Sequence, residues 1–214
     1  MAQNTKKEPA EVILLPEGRL INSSFFEKDS FEVNGKMTTP KYNAELAFEL
    51  GVLNEIEDKL AAAAVKEWGA GADVQYDNGT VRSPIKNGDE MAAEKASRGK
   101  PGDAYKGKDV IRADTIWNKF GQDAPGGVAV FGPDVAEIGA ANQHEIYSGC
   151  YGQAAVTISP YISNDGKRCL KFYLTGFQKT RDGEKLVSPR DLSTVFKPVG
   201  RPAGEPVQRR RRAG

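Results

Sequence analysis

Basic and aromatic side chains alternate along KRCLKFYLTGFQKTR, residues 167–181, which has the composition of a strand. Alternate positions of a strand lie on the same side, so one predicted face carries Lys171, Tyr173, Thr175, Phe177 and Lys179. Ammonium groups bind phosphates and aromatic rings stack on unpaired bases, and neither contact requires a particular base. Such a face fits an unpaired polynucleotide. In the alternative interpretation, Tyr173 and Phe177 pack beneath a helix or loop while the lysine side chains extend to its edge.

The turn before this strand determines which residues lie beside it. SNDGK, residues 163–167, fits a three-residue loop in which Gly166 takes the left-handed conformation and Ser163 pairs with Lys167. Apolar residues such as Val156, Ile158, Phe172 and Leu174 then gather on one side of the hairpin. The opposite side gathers Tyr151, Tyr161, Lys171, Tyr173, Phe177 and Lys179. A slip of one residue would exchange the two faces, so this segregation supports the register.

Other residues whose types could support catalysis or metal binding do not form a catalytic set. GDAYKGKD, residues 102–109, approaches a phosphate-binding loop, but Asp109 stands where such a loop has the Ser or Thr that binds magnesium. His144 is the only histidine, and with Cys150 and Cys169 it makes a weak ligand set for zinc. No acylation motif surrounds either cysteine. The sequence therefore offers no supported active site or metal site.

Charge is distributed unevenly along a chain that is nearly neutral overall. Its 214 residues include 30 Lys and Arg against 29 Asp and Glu. Residues 166–190, however, carry seven Lys and Arg against two Asp and Glu, so attraction to a polyanion must come from a local patch. Two cysteines are too few for a disulfide framework, and no apolar run approaches the roughly 20 residues of a membrane helix. These features predict a cytoplasmic protein.

Short strands dominate the predicted elements. EVILL, RLINSSFF, KYNAELAF, KDVIRADTIW, GGVAVFG and the two hairpin segments have strand patterns. Asn54 precedes apolar residues at helical spacing and is predicted to cap a helix that ends at Gly69 or Gly71, whereas residues 87–106 are predicted to be a long mobile loop. The fold class is therefore mainly β with one substantial helix, and an OB-fold-like Greek-key barrel is one such architecture.

A family resemblance rests on the closing hairpin. YSGCYGQAAVTISPYISNDGKRCLKFYLTGFQKTRDGEKL, together with KYNAEL and VKEWG upstream, resembles the bacteriophage OB-fold single-stranded DNA-binding proteins. The resemblance covers about residues 18–197. It implies a non-enzymatic protein that needs no metal, nucleotide or other cofactor. Such a protein coats and protects single-stranded DNA during phage DNA replication and recombination, without preference for sequence, and acts beside phage replication proteins. If a phage encodes the chain, its setting is the host cell cytoplasm.

The ends of the chain lie outside the region of resemblance. Residues 1–17 are predicted to be a flexible N-terminal segment, residues 18–197 the OB-fold domain, and residues 198–214 a disordered basic tail. Many phage single-strand binders end in an acidic tail, whereas residues 199–214 contain five arginines and one glutamate. Such a tail is expected to add phosphate contacts and to allow weaker binding of duplex DNA.

The expected contacts with single-stranded DNA follow from these patterns. The hairpin candidates are Tyr151, Tyr161, Lys171, Tyr173, Phe177 and Lys179, supported by Arg181. Candidates that steer the DNA backbone from the long loop and its flanks are Arg82, Lys86, Arg98, Lys100 and Lys108, and Trp117 is a further stacking candidate. A rival interpretation is a phage structural or assembly protein whose hairpin face is a protein interface. A weaker one is a nucleotide-handling enzyme that uses the loop at residues 102–109.

Overall fold

The computed structural model describes residues 11–33 and 35–186. Its strands, in chain order, are β1 Ile13–Leu14, β2 Gly18–Asp29, β3 Glu32–Val33, β4 Lys36–Met37, β5 Lys41–Glu49, β6 Ile85–Asn87, β7 Lys108–Thr115, β8 Ala129–Phe131, β9 Tyr151–Ile162 and β10 Arg168–Arg181. Its α-helices are α1 Asn54–Trp68, α2 Ala72–Asp77 and α3 Gly88–Ser97, and two short 3-10 helices span Asp103–Tyr105 and Ala140–Glu145.

Five strands form a ring of hydrogen-bonded neighbours. The order around the ring is β2, β5, β7, β10 and β9, with β9 returning to β2. The β7–β10 pair is parallel and the other four pairs are antiparallel. This is the Greek-key order of an OB-like fold. The β2–β9 and β7–β10 links each comprise only two residue pairs, so the ring is not a true barrel, and the predicted OB-like fold is confirmed with that correction.

The main core lies inside this ring. The alternation in β5 directs Tyr42, Ala44, Leu46 and Phe48 inward, as predicted. Helix α1 contributes Ile56, Leu60 and Ala64, which are all buried at helical spacing. Asn54 is the first residue of the helix rather than its cap, since Leu53 holds the cap position and no side chain bonds there. The helix itself was predicted correctly.

A second apolar layer covers part of the outside of the ring. Asn87 caps the N-terminus of helix α3, because its side-chain oxygen accepts hydrogen bonds from the amides of Asp89 and Glu90. Ala92 of α3 and Tyr105 pack against the outward side chains Ile21, Ala47 and Val110. The prediction of a long mobile loop over residues 87–106 is therefore wrong, because this segment folds over one end of the outer sheet surface.

The β9–β10 hairpin follows the predicted register for its first half. The amide of Ser163 donates to the carbonyl of Lys167, and Gly166 has a φ of 77°, so the three-residue loop is confirmed. From Arg168 to Leu174 the pairing is the predicted one. The register then shifts between Leu174 and Gly176, with Thr175 as the extra residue, and shifts again after Lys179. Such bulges exchange the faces on which later side chains lie.

The described residues bear on both predicted chain ends. Ile13 and Leu14 pair with Val156 and Ala155 of β9, and Leu15 is fully buried, so these residues belong to the folded sheet although they fall within the segment predicted to be flexible. The predicted basic tail and the domain end at residue 197 lie outside the described residues. None of the described helices is both long and apolar enough to span a membrane.

Candidate nucleic-acid interface

One end of the outer sheet surface is left uncovered by α3. Strands β5, β7, β10 and β9 lie side by side there, and their outward side chains form a surface that we name the open face. Its members, across the strands and from the adjoining turn, are Lys41, Asp114, Lys171, Tyr173, Tyr161 and Arg82.

Lys171 and Tyr173 lie at the centre of the open face. Tyr173 is the register partner of Asp114 on β7 and of Thr157 on β9. The Lys171 ammonium lies 3.7 Å from the centroid of the Tyr173 ring and 3.8 Å from Oδ1 of Asp114. Lys41 donates a hydrogen bond to that same Oδ1 at 3.0 Å. A flat ring and two ammonium groups are thus gathered around one carboxylate.

Tyr161 and Arg82 extend the open face toward the hairpin loop. Tyr161 pairs with Cys169 and is 44% exposed. Partial burial and the neighbouring Cys169 thiol raise the pKa of Tyr161, so its ring is neutral at physiological pH. Arg82 bridges to the backbone of Cys169 and pairs with Asp165 in the loop at 2.8 Å. The open face therefore carries two tyrosines and three cations.

Phe177 does not belong to the open face. The bulge at Thr175 turns its ring into the core, where it is 2% exposed and stacks on Phe25 with 4.8 Å between ring centroids. A Cβ added to Gly152 on the facing strand would lie 2.3 Å from Cζ of Phe177, so glycine is required there to seat the ring. The prediction of Phe177 as a DNA contact is wrong for this reason.

Tyr151, Lys179 and Arg181 lie at the opposite end of the hairpin. Arg181 is eight residues beyond Tyr173 on β10, which is about 26 Å along a strand. Lys179 donates to the carbonyl of Glu145 at 2.9 Å and pairs with Asp182 at 2.7 Å. Arg181 pairs with Glu17 at 2.9 Å and lies over the Tyr151 ring at 3.5 Å. We name this group, with Tyr147, the paired cluster.

Carboxylates neutralise the cations of the paired cluster. Hydrogen bonds from Lys179 and Tyr147 hold the pKa of Asp182 below its usual range. A hydrogen bond from Thr180, with help from Arg181, does the same for the pKa of Glu17. Burial lowers the pKa of Lys179, but the hydrogen bond to Asp182 and the negative charge of that carboxylate together outweigh burial and raise the pKa overall. Each cation here has its own anionic partner, whereas Lys41 and Lys171 of the open face share the carboxylate of Asp114, so the two groups differ in position and in charge balance.

The remaining predicted cations, apart from Arg82, lie near the covered end of the sheet. Lys108 starts β7, six residues and about 20 Å before Asp114, and it pairs with Glu49. Arg98 follows α3 and pairs with Glu94, and Lys100 is exposed in the next turn. Lys86 on β6 lines a depression whose acidic residues are Glu57, Asp58, Asp77 and Asp109. None of these four cations joins the open face.

Trp117 begins an ordered loop at the other edge of the open face. It follows Asp114 by three residues, so their Cα atoms are at most about 11 Å apart, and its side chain is 48% exposed. The side chain of Asn118 accepts hydrogen bonds from the amides of Phe120 and Gln122 and donates to the carbonyl of Pro125. This loop therefore presents Trp117 and the 70% exposed Phe120 on a fixed backbone.

Sequence reasoning missed Lys41, Asp114 and Phe120. The alternation in KYNAELAF places Lys41 opposite the core residues, and the alternation in VIRADT does the same for Asp114. Those signals identify outward positions only. That Asp114 lies beside Tyr173 depends on the parallel β7–β10 pairing, which joins segments far apart in the chain.

The described residues do not form a candidate metal site. Residues 11–33 and 35–186 contain no group of three or more His, Cys, Asp or Glu side chains that could hold a metal ion. Both cysteines are buried as free thiols. The open face offers stacking surfaces, ammonium and guanidinium donors and one carboxylate.

Comparison with known proteins identifies related chains. A family model described as the ssDNA-binding protein of Enterobacter phage Enc34 matches residues 11–202. No curated protein sequence is significantly similar to the chain. The solved structure of the single-stranded DNA-binding protein from bacteriophage Enc34 is 19% identical, with a TM-score of 0.56, over 87% of this chain and 90% of that one.

Two further solved structures have the same fold. The Enc34 protein in complex with ssDNA is 16% identical with a TM-score of 0.56, over 82% of this chain and 89% of that one. The single-stranded DNA-binding protein gp2.5 of bacteriophage T7 is 10% identical with a TM-score of 0.56, over 92% of this chain and 100% of that one. At these identities the structural likeness establishes the OB-like fold.

Proposed function

Because the chain belongs to the family of the ssDNA-binding protein of Enterobacter phage Enc34, we propose that it binds single-stranded DNA on the open face. The observation that carries this proposal is the arrangement of Lys171 and Tyr173 beside Lys41 on one uncovered sheet surface. OB-fold proteins bind oligonucleotides on this side of the sheet, between the loop of the first hairpin and the loop of the last.

The open face suits a single strand better than a duplex. Tyr161 and Tyr173 present ring faces, which bind bases only when the bases are unstacked from a complementary strand. Trp117, at the edge of the face, offers a third ring. Stacking is tolerant of sequence because every base has an aromatic face. We therefore propose that the protein coats single strands with little regard to sequence during phage DNA replication and recombination.

Phosphate contacts are assigned to Lys41, Arg82 and Lys171. In the free protein these cations pair with Asp114 or Asp165 at 2.8 to 3.8 Å. The Arg82–Asp165 pair is exposed and the two Asp114 pairs are partly exposed. Ion pairs near the surface contribute little stability, so an incoming phosphate can replace the carboxylate at small cost. Neutralising phosphates releases the counterions of DNA and makes the affinity depend on salt.

Finer aspects of the function extend the same proposal. We propose that the protein acts without catalysis or cofactor, in the host cytoplasm, alongside phage replication proteins. Duplex DNA binds more weakly, through phosphate contacts of the arginines at residues 209–212. A protein that ends at Val199 is expected to lose affinity for duplex DNA more than affinity for single strands. Tighter single-strand binding after this truncation would show that the tail inhibits binding.

The direct test is fluorescence anisotropy with labelled single-stranded DNA, duplex DNA and RNA of equal length, measured across a salt series. We expect the tightest binding to single-stranded DNA and an affinity that falls as salt rises. Binding that does not depend on salt, or that favours duplex DNA, would contradict the proposal. In that case the protein-interface interpretation would gain support.

A further inference from the structure

Beyond its ion pairs with Lys41 and Lys171, Asp114 has no evident role in a face that only stacks bases and neutralises phosphates. Its carboxylate lies at the centre of the open face, in register with Tyr173. Lys41 and Lys171 both approach Oδ1, at 3.0 and 3.8 Å. No described residue donates a hydrogen bond to Oδ2, and the side chain is 25% exposed. A negative charge here opposes phosphate binding, so its location requires another explanation.

We propose that Asp114 reads the Watson–Crick edge of guanine and gives the open face a graded preference for this base. The inference rests on the proposed binding of single-stranded DNA and specifies the chemistry of the same site. It concerns one position within the site, so the rest of the bound strand stays free of sequence preference.

Guanine is the base whose Watson–Crick edge best matches a carboxylate. An ionised carboxylate only accepts hydrogen bonds. Guanine offers two adjacent donors, N1–H and the N2 amino group, which can meet the two oxygens together. Adenine and cytosine each place an acceptor nitrogen beside their amino group, and thymine places its single N–H between two carbonyl oxygens. These acceptors would face the negative charge of Asp114.

The residues around Asp114 can make the remaining contacts with a guanine base. A base stacked on Tyr173 brings its edge over the neighbouring strand, where Asp114 lies, and unpaired bases are read through stacking combined with hydrogen bonds to this edge. If the base occupies the ring face that Lys171 now covers, the ammonium is displaced toward Asp114. Lys171 or Lys41 can then donate to O6 of guanine. In a duplex the same edge is already paired, so the preference applies only to single strands.

The test compares thymidine strands of about 12 nucleotides, within the range that one OB domain covers, that differ at every third base. That base is thymine, guanine or hypoxanthine, which is the base of inosine and equals guanine without the N2 amino group. We expect the wild-type protein to bind the guanine strand about five- to tenfold more tightly than the thymine strand, the lower range for a bidentate base contact. The strand that carries inosine should lose most of this gain in affinity over the thymine strand.

Asp114→Asn and Asp114→Ala should abolish the guanine preference, and both should raise the affinity for the thymine strand because a negative charge is removed. The matched control is Asp103→Asn, which removes an exposed aspartate paired with Lys106 and should keep the preference. Equal wild-type affinity for the three strands, within twofold, would overturn the inference, as would a preference retained in both Asp114 variants. If the thymine strand binds and only the preference is absent, the proposed function stands. If no strand binds, both fail.

Discussion

The two ends of the β9–β10 hairpin carry the same kinds of side chain in different settings. On the open face, Lys171 and Tyr173 lie on an uncovered surface, and Lys171 lies 3.8 Å from the nearest carboxylate oxygen. In the paired cluster, Lys179 has 11% of its side chain exposed and is bonded to both Asp182 and the carbonyl of Glu145. Residue type alone therefore does not distinguish a binding surface from a structural one. The bonding partners of each side chain and its degree of burial distinguish the two surfaces.

The bulge at Thr175 is the structural cause of this difference. Before it, the outward positions of β10 are Cys169, Lys171 and Tyr173, and after it Phe177 lies on the core side. An uninterrupted strand would have continued the basic and aromatic face along its whole length. The bulge restricts that face to the half of the hairpin near its loop.

The largest expected effect is on stability, from Phe177→Ala. The ring is buried and stacked on Phe25, so its removal leaves a cavity and should cost about 3–5 kcal/mol of unfolding free energy. Urea denaturation followed by circular dichroism measures this loss. Binding by the folded fraction should remain close to that of the wild type. If the variant is as stable as the wild type but binds DNA weakly, Phe177 contacts DNA and does not support the core.

A smaller effect, on binding, is expected from Tyr173→Ala. Loss of one stacking surface should weaken single-strand binding by about 1–3 kcal/mol, while unfolding free energy changes little because the ring is only partly buried. The matched control is Tyr151→Ala in the paired cluster, where Arg181 already lies over the ring. Similar losses of affinity in the two variants, measured by anisotropy, would remove the distinction between the two ends.

Sequence reasoning predicted the part of the site that local rules govern. The loop signal of Gly166 and the alternation from Arg168 to Leu174 determine the open half of the hairpin. Gly176 within a strand was itself a signal of a bulge, and using it would have corrected the position of Phe177. Asn87 followed by Asp89 and Glu90 was likewise an unused helix-start signal for α3.

Non-local pairings could not be predicted in the same way. The position of Lys41 and Asp114 beside Tyr173 requires β5, β7 and β10 to lie in that order, and many strand orders fit the same local patterns. The ion pair of Arg181 with Glu17 joins residues 164 apart in the chain. No periodicity in the sequence indicates such a contact.

The salt dependence of binding should separate the lysines of the two ends. Lys171→Ala removes a phosphate contact and should make the log–log salt slope shallower by about 0.7, the value for one phosphate of a single strand. Lys179→Ala should leave the slope unchanged because Asp182 already neutralises that ammonium. Anisotropy titrations at several salt concentrations measure both slopes. A shallower slope for Lys179→Ala alone would place the DNA on the paired cluster instead.

The smallest effect is expected from acid titration of the paired cluster. The pKa values of Glu17 and Asp182 are lowered in the folded state by their hydrogen bonds to Thr180, Arg181, Lys179 and Tyr147. A lowered carboxyl pKa stabilises the fold above the unfolded pKa, and this contribution is lost as pH falls through the folded pKa. The wild-type melting temperature should therefore drop between about pH 5 and pH 3. The double variant Glu17→Gln, Asp182→Asn should have a lower melting temperature at neutral pH, and its melting temperature should fall less steeply as the pH is lowered.

DNA affinity at neutral pH tests the same double variant for function. If the paired cluster is structural, Glu17→Gln with Asp182→Asn should leave single-strand binding unchanged at moderate salt, where the two cations that it frees are screened. Melting curves across the pH range and anisotropy at pH 7 are the two measurements. An unchanged acid dependence of the melting temperature would show that these ion pairs do not support the fold. A marked gain of affinity would show that the freed Lys179 and Arg181 bind phosphate, and hence that the paired cluster, like the open face, contacts DNA.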